Sequence, residues 1–269
     1  MQFNMDISLI VTTYNWPEAL NKVLESIERQ SHLPREVIIA DDGSGKETTE
    51  VVAYWQQKLR IPVIHSWQED EGYRLSASRN KAITRANGDY LVMIDGDMVL
   101  DRHFIRDHAR TAQPGYFIQG WRVRLNEQGN HHVLDHGVIP HCRMKGILDL
   151  KNRCYGLRLS MLRSLSYGSP TSISGTKGCN MAFWKQDVVA INGFNEDFVG
   201  WGKEDNEFAT RMINHGIRRK RLRFSAVAFH LYHDESPRNM VACNHEILMR
   251  TKQHRLAFCH NGLSRYQAS

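Results

Sequence analysis

The sequence predicts an α/β fold, a mostly parallel, Rossmann-like central sheet flanked by helices, and three observations predict it. Apolar runs rich in β-branched residues alternate with segments of helical period through residues 7–97. The runs are continuous rather than apolar–polar, the pattern of parallel strands buried on both faces. Polar residues gather at their carboxyl ends, where such sheets hold ligands.

The elements follow in order. "ISLIVTTY" (7–14) is the first strand, and Pro17 opens a helix with Leu20, Val23, Leu24 and Ile27 on one face. "EVIIADDGS" (36–44) is a second strand entering a turn. "TTEVVAYWQQKL" reads as a helix and "PVIHSW" as a short strand. "SASRNKAITRANG" reads as a helix ended by Gly88, and "DYLVMIDGD" (89–97) as another strand. Such alternation implies right-handed crossovers. The polar strand ends are Thr12, Thr13, Tyr14 and Asn15, then Asp41 and Asp42, then Asp95 and Asp97.

The 269 residues suffice for a large core. No run of about 18 apolar residues is present, so no transmembrane helix is expected. "MQFNMDISLIV" lacks a basic region and a small-residue cleavage site, and so does not read as a signal peptide. Five cysteines without a C-x-x-C point to a reducing compartment, the cytoplasm. The net charge of +6 is uneven: residues 1–140 carry 15 Lys+Arg against 19 Asp+Glu, and residues 141–269 carry 20 against 10. A basic second half suits an anionic partner, such as phosphates, an acidic glycan or a membrane surface, or is simply a solvated surface.

Common nucleotide loops are excluded. "GSGK" (43–46) would need Gly at Ala40 and Ser or Thr at Glu47 to be a P-loop, and no G-x-G-x-x-G follows the first strand. "IDGDM" (94–98) places two carboxylates at i and i+2 where a strand ends. Hard oxygens in that position suit Mg²⁺ or Mn²⁺, and Asp-Gly-Asp is equally good turn chemistry.

Seven stretches taken together, "SLIVTTYN" (8–15), "DDGS" (41–44), "EGYRLSASRN" (71–80), "DGD" (95–97), "GCNMAFWK" (178–185), "GFNEDFVGWGKEDNEF" (193–208) and "FHLYHD" (229–234), resemble the inverting, metal-dependent glycosyltransferases of family 2, with the GT-A fold. The "GWGKED" form is most similar to galactosyltransferase-type and chondroitin-polymerase-like members. The resemblance implies a single domain over 1–269: a nucleotide-sugar half (1–100), an acceptor-binding and catalytic half (101–234) and a C-terminal helical extension (235–269).

It also implies roles. Thr12, Tyr14 and Asp41 would line the nucleotide base, with Asp41 accepting from the uracil imide and Asp42 near the ribose. Arg74, Arg79 and Asn80 would face the base or diphosphate, and Asp95 would approach ribose and metal. Asp97 would ligate the metal, with His233 as third ligand and His230 in reserve. Asp205 would be the general base, and Glu204, with Trp201 and Gly202, would hold the acceptor sugar. Chemistry gives these roles a reason: expelling a diphosphate builds negative charge that a cation stabilises, and an attacking hydroxyl must lose its proton. An Asp with a reference pKa of about 3.9 is ionised at neutral pH without a large shift. The same acids in a first helical turn would also complement the helix dipole, and Glu207 would pair with Arg211 on the helix surface.

Two segments stand outside the resemblance. His131, His132, His136 and His141 with Cys142 lack the usual zinc spacing and read as a surface hairpin or acceptor loop. "CRMKGILDLKNRCYGLRLSMLRSL" (142–165) mixes basic residues with Leu157, Leu159, Met161, Leu162 and Leu165; it and Arg238–Arg255 are core-facing helices, an acceptor-side insertion or a membrane-surface element.

The expected function is transfer of a sugar from a UDP-sugar to a hydroxyl of a glycan, with Mn²⁺ or Mg²⁺. A lipid-linked acceptor such as a lipopolysaccharide or capsule precursor fits a cytoplasmic protein with peripheral contact at the inner membrane. No nucleic-acid partner is expected. The rivals are a nucleotidyltransferase on the same aspartate–metal site, which has no use for "GWGKED", and a non-catalytic polyanion binder on the basic half.

Overall fold

The structure, a computed structural model, describes residues 5–159, 161–162, 169–234 and 238–267. The first strand, β1 (Ile7–Thr13), is fully buried. Helix α1 (Pro17–Glu28) has Pro at its first turn and buries Leu20, Val23, Leu24 and Ile27, the face its periodicity predicts. Then come β2 (Glu36–Asp41), α2 (Lys46–Lys58), β3 (Val63–Trp67), α3 (Leu75–Arg85) and β4 (Tyr90–Asp95). The second strand ends at Asp41 rather than Ser44 because the Asp41 carboxylate accepts from the Ser44 backbone N–H at 2.8 Å and turns the chain.

The second half starts with β5 (Met98–Leu100), α4 (Phe104–Thr111), β6 (Tyr116–Gly120), β7 (Val123–Arg124) and α5 (Glu127–Leu134). There follow α6 (Leu150–Tyr155), β8 (Asn180–Trp184), α7 (Lys185–Ala190), α8 (Glu204–Asn214), β9 (Arg218–Leu222), β10 (Ala228–His230) and α9 (Val241–Gln253). A 3₁₀ turn at Leu263–Tyr266 packs near α3.

Seven strands form one sheet in the order β3-β2-β1-β4-β8-β6-β9. Every pair is parallel except those of β8, which runs antiparallel to both β4 and β6. Strands from both halves therefore share one hydrogen-bonded ladder. Side chains alternate across it: Leu9, Val11, Val37, Ile39, Val92 and Ile94 join α1, α2 and α4 in one core, while Ile10, Ile38, Leu91 and Met93 join α3, α7 and α8 in the other. Truncating a fully buried member such as Leu24 to Ala costs about 2–5 kcal/mol.

A smaller sheet, β5-β10-β7, crosses the carboxyl edge. It carries its own core of Val99, Val123, Leu125, Val133, Phe229 and Leu231, packed under α5. Its pairing puts His230 opposite Met98, one residue beyond Asp97.

The segment 142–165 is less helical than its composition suggests. Among its described residues α-helix is confined to Leu150–Tyr155, and Leu150 and Met161 are 79% and 92% exposed; Leu165 lies outside the described residues. Of the four histidines in the surface-hairpin or acceptor-loop segment, His131 and His132 lie in α5 and His136 in the turn that follows it, so these three do not form a hairpin, and His141 lies in the irregular chain beyond. Glu207 and Arg211 do pair, at 2.8 Å, but in the interior: both are buried, and Thr251 of α9 donates to the same Glu207 oxygen. Helix α9, packing on α8, makes this face internal.

Candidate active site

The strand ends β1, β2 and β4 make a polar floor. The Thr12 hydroxyl donates to Asp95 Oδ1 at 3.2 Å across the parallel β1–β4 pair. Asp41 and Asp42, adjacent in sequence, face different surroundings. Asp41 has no exposed surface, and its oxygens are engaged by Ser44 N–H and by His65 Nε2, each at 2.8 Å. Asp42 accepts from Gln68 Nε2 at 2.6 Å and from the Arg74 backbone N–H at 2.9 Å. Burial pushes the Asp42 carboxyl up to about 6, against the opposing pull of those two hydrogen bonds. Asp41, expected to meet the base, has no exposed surface, while Asp42 shares its surroundings with Tyr14 and Tyr73.

Tyr14 is half exposed and donates to Asp70 at 2.9 Å, so its ring borders the floor from the open side. Arg74 contributes its backbone N–H to Asp42, and its guanidinium pairs with Glu71. Asn80 departs from expectation. Its amide donates to Phe194 O and Glu196 Oε1, both at 2.8 Å, and its oxygen accepts from Phe194 N–H. It is fully buried and ties α3 to the 194–196 loop rather than facing the cleft.

Arg79, one position earlier, turns inward. Its guanidinium is 1% exposed and lies over the Phe194 ring at 5.0 Å. One end approaches Glu204 Oε1 at 3.5 Å and the other Asp95 Oδ1 at 3.6 Å. Gly178 makes this fit possible: a Cβ there would stand 2.7 Å from Arg79 Nη2. Arg79 therefore bridges the floor to the acids of α8 and is engaged away from the open cleft.

Those acids are presented by a turn of unusual backbone. Gly200, Gly202 and Lys203 all have left-handed φ (+71°, +111° and +76°), so the chain reverses just before Glu204 begins α8. The indole of Trp201 remains 40% exposed, with the Arg238 guanidinium 5.5 Å above it. Gly200 N–H donates to Tyr73 O at 3.1 Å, joining this turn to the loop before α3. Asp205 accepts from Gly178 N–H at 2.8 Å. Burial first, and repulsion from Glu204 second, push its carboxyl up to about 7, with Arg79 pulling the other way. The expected small shift is corrected: at neutral pH this acid is poised between its two forms.

Beyond Asp95 lies a separate cluster. Asp97, His230 and His233 present one ligand atom each within 4.8 Å of one another. His230 Nε2 and His233 Nε2 lie 3.3 and 3.2 Å from the same Asp97 oxygen, so both histidines named from sequence converge there. The small sheet builds the cluster: Leu231 N–H donates to Asp97 O at 3.0 Å. Burial alone would raise the Asp97 carboxyl, but the imidazoles and Arg122 outweigh it and hold it low. Burial pushes His230 down to about 4, and the hydrogen bond to Asp97 pushes His233 up to about 9. Asp95 is not in the group, being held by Thr12 and Arg79. Asp97 Oδ1 is buried and has no hydrogen-bond partner among the described residues. A carboxylate and two imidazoles with one unsatisfied oxygen suit a divalent ion such as Mn²⁺.

Sequence reading missed three contributors. Arg122, just past β6, is half-buried; burial alone would lower its pKa, but Cys179, Asp95 and Asp97 outweigh it and raise it, and its Nε is unpartnered among the described residues. The Tyr73 hydroxyl is buried, which raises its pKa, and it feels the charges of Glu204, Arg79, Asp95 and Asp42. Gly178 acts through its backbone. The only sequence signal was for Arg122, in a "GWR" directly after an apolar strand.

Comparison with known proteins matches this architecture. The pattern of glycosyl transferase family 2 matches residues 8–167, and that of the N-terminal domain of galactosyltransferase matches residues 160–234. The chain belongs to glycosyl transferase family 2.

Among its relatives, validoxylamine A glucosyltransferase of Streptomyces hygroscopicus subsp. limoneus is 28% identical over 227 residues, which is 78% of this chain and 48% of that protein. Chondroitin synthase of Escherichia coli is 26% identical over 247 residues, 86% of this chain and 35% of that protein. The chain thus spans about half the length, or less, of these curated relatives. Residues 1–349 of S. aureus TarS, also solved with UDP-GlcNAc, superpose with a TM-score of 0.63 at 16% identity, over 97% of this chain and 68% of that one. A mannosyltransferase from Pyrobaculum calidifontis, solved with GDP-Man and Mn²⁺, gives a TM-score of 0.59 at 18% identity, over 95% and 73%. These structures establish the GT-A fold. Among the described residues, no helix is long and apolar enough to cross a membrane.

Proposed function

We propose that this protein is an inverting glycosyltransferase that moves a sugar from a UDP-sugar to a hydroxyl of a glycan, with Asp205 as general base and a divalent metal. The observation that carries this reading is the Arg79 bridge, which fixes the α8 acids against the Asp95 end of the floor.

Asp42 and Tyr14 hold the base, with Asp42 accepting from the uracil imide, and Thr12 fixes the Asp95 carboxylate toward the ribose. Asp97, His230 and His233 hold the metal, which supplies Lewis-acid stabilisation of the leaving diphosphate when bound. Arg122, behind Asp95 and Asp97, adds a fixed positive charge on that side. Trp201 offers its exposed face to the acceptor ring, and Glu204 accepts from an acceptor hydroxyl. Asp205 takes the proton of the attacking hydroxyl as its oxygen bonds the anomeric carbon and the carbon–oxygen bond to the diphosphate breaks. A carboxyl near 7 matches that task, because Brønsted behaviour favours a base with a pKa near working pH.

The acceptor is a cell-surface polysaccharide precursor presented by a lipid. Exposed Leu150, Leu157, Leu159 and Met161, interspersed in sequence with Lys145, Lys151 and Arg153, support this: apolar and basic groups in one exposed segment suit an anionic membrane surface. A nucleotidyltransferase would leave Glu204 and Asp205 without a task. Transfer by Asp205→Asn tests the proposal. It abolishes transfer while UDP affinity stays within about twofold; unimpaired transfer, or a parallel loss of UDP binding, contradicts the base assignment.

A further inference from the structure

The histidines excluded as a zinc motif on spacing are brought together by the fold. His131 occupies the last turn of α5, and His136 lies just past its end. The His136 N–H donates to His131 O at 3.3 Å, and Val138 N–H to His132 O at 2.9 Å. These bonds curl the chain back so that the Nε2 atoms of His131 and His136 face each other at 3.2 Å, with ring centroids 4.6 Å apart.

The chemistry of the pair is specified by a third residue. His131 Nδ1 lies 2.5 Å from Asp135 Oδ2, so the carboxylate accepts a hydrogen bond from Nδ1–H and leaves the Nε2 lone pair facing His136. A carboxylate behind a histidine whose other nitrogen faces a partner is the usual support of a metal-binding imidazole. Two imidazole nitrogens on one tetrahedral zinc, each at about 2.0–2.1 Å, stand about 3.3 Å apart. The observed separation of 3.2 Å is close to that value. His132 lies close by, its ring 6.4 Å from each of the other two and its Nδ1 buried without a hydrogen-bond partner among the described residues.

We infer that His131 and His136 form a second metal site for Zn²⁺ or a similar borderline transition ion, with His132 able to join by side-chain rotation. It differs in kind from the Asp97 group: its donors are imidazoles on an exposed turn, which favour zinc over the harder Mn²⁺. It also adjoins the first site. Asn130, the residue before His131, exchanges hydrogen bonds of 2.6 and 2.7 Å with the backbone of Tyr232, next to His233. The inference stands independently of the glycosyl-transfer reading.

Zinc calorimetry on the full chain tests it, using an Asp97→Ala, His233→Ala background to disable the other cluster. One zinc ion per chain should bind there. Adding His131→Ala or His136→Ala should weaken zinc binding at least tenfold, and Asp135→Asn about tenfold, the usual effect of removing such a support. In the unmodified chain, zinc should shift the ring resonances of His131 and His136, a reading that needs no variant. Unchanged zinc binding in both alanine variants, or unmoved resonances, would show a plain imidazole–imidazole hydrogen bond and overturn the proposal.

Discussion

Arg79 and Glu204, 125 residues apart in sequence, meet at 3.5 Å inside the molecule, and the other end of the same guanidinium lies 3.6 Å from Asp95. A buried cation between two carboxylates is a joint that cannot lose its centre cheaply. Arg79→Met leaves Glu204, Asp95 and Asp205 facing one another without compensation. It should cost about 3–5 kcal/mol of stability and at least a hundredfold in kcat, read by urea denaturation and by transfer assay. Arg79→Lys keeps the charge but not the planar fork, and so should recover stability more than activity.

Gly178→Ala probes the same joint from the other side. The new methyl would press on Arg79 Nη2, and the residue's N–H is the one that holds Asp205. The expected result is a tenfold or greater loss of kcat with KM for the nucleotide sugar nearly unchanged, checked by steady-state kinetics.

The raised Asp205 carboxyl gives a pH signature. Its folded pKa of about 7 lies above the ordinary value of 3.8, so the folded state binds this proton more tightly than the unfolded one. Stability from this group is therefore present at low pH and is lost as pH rises from about 4 to about 7. Activity runs the other way, climbing tenfold per pH unit below about 7 as the base ionises. Asp205→Asn should remove the activity and raise Tm at pH 8 relative to the parent, measured by thermal unfolding at several pH values.

The two adjacent aspartates of β2 separate binding from folding. UDP affinity should fall as pH drops below about 6, where Asp42 protonates, and Asp42→Asn should weaken UDP binding while abolishing that dependence. Asp41→Asn disturbs the Ser44 turn and the His65 contact, and should lower Tm more than it lowers UDP affinity. Calorimetry across pH 5–8 checks both.

Much of this was legible in the residues. Continuous apolar runs located β1, β2 and β4, and the i, i+3, i+4 spacing of Leu20, Val23, Leu24 and Ile27 gave the buried face of α1. The residues of the cleft were named largely through the family resemblance of seven short stretches, and the residues by themselves showed only that polar side chains gather at the strand ends. What the chain order could not show was side-chain direction. Arg79 and Asn80 differ by one helical step of about 100°, enough to send one inward to Glu204 and Asp95 and the other to the 194–196 loop. Whether Asp41 or Asp42 is engaged by the turn depends on where β2 stops. The burial of Glu207–Arg211 required α9, supplied from more than thirty residues away. The His131–His136 approach depends on how α5 ends, which the spacing of histidines does not encode.

The central claim is a metal-assisted UDP-sugar site feeding Asp205. Its most direct test is calorimetric binding of a panel of nucleotide sugars to the full chain, each with Mn²⁺ and with EDTA, alongside Asp97→Ala. The account predicts that a UDP-sugar binds with Mn²⁺, loses at least tenfold in affinity with EDTA, and loses as much in Asp97→Ala whether or not Mn²⁺ is present. Binding of no nucleotide sugar, or binding indifferent to both metal and Asp97, would contradict it.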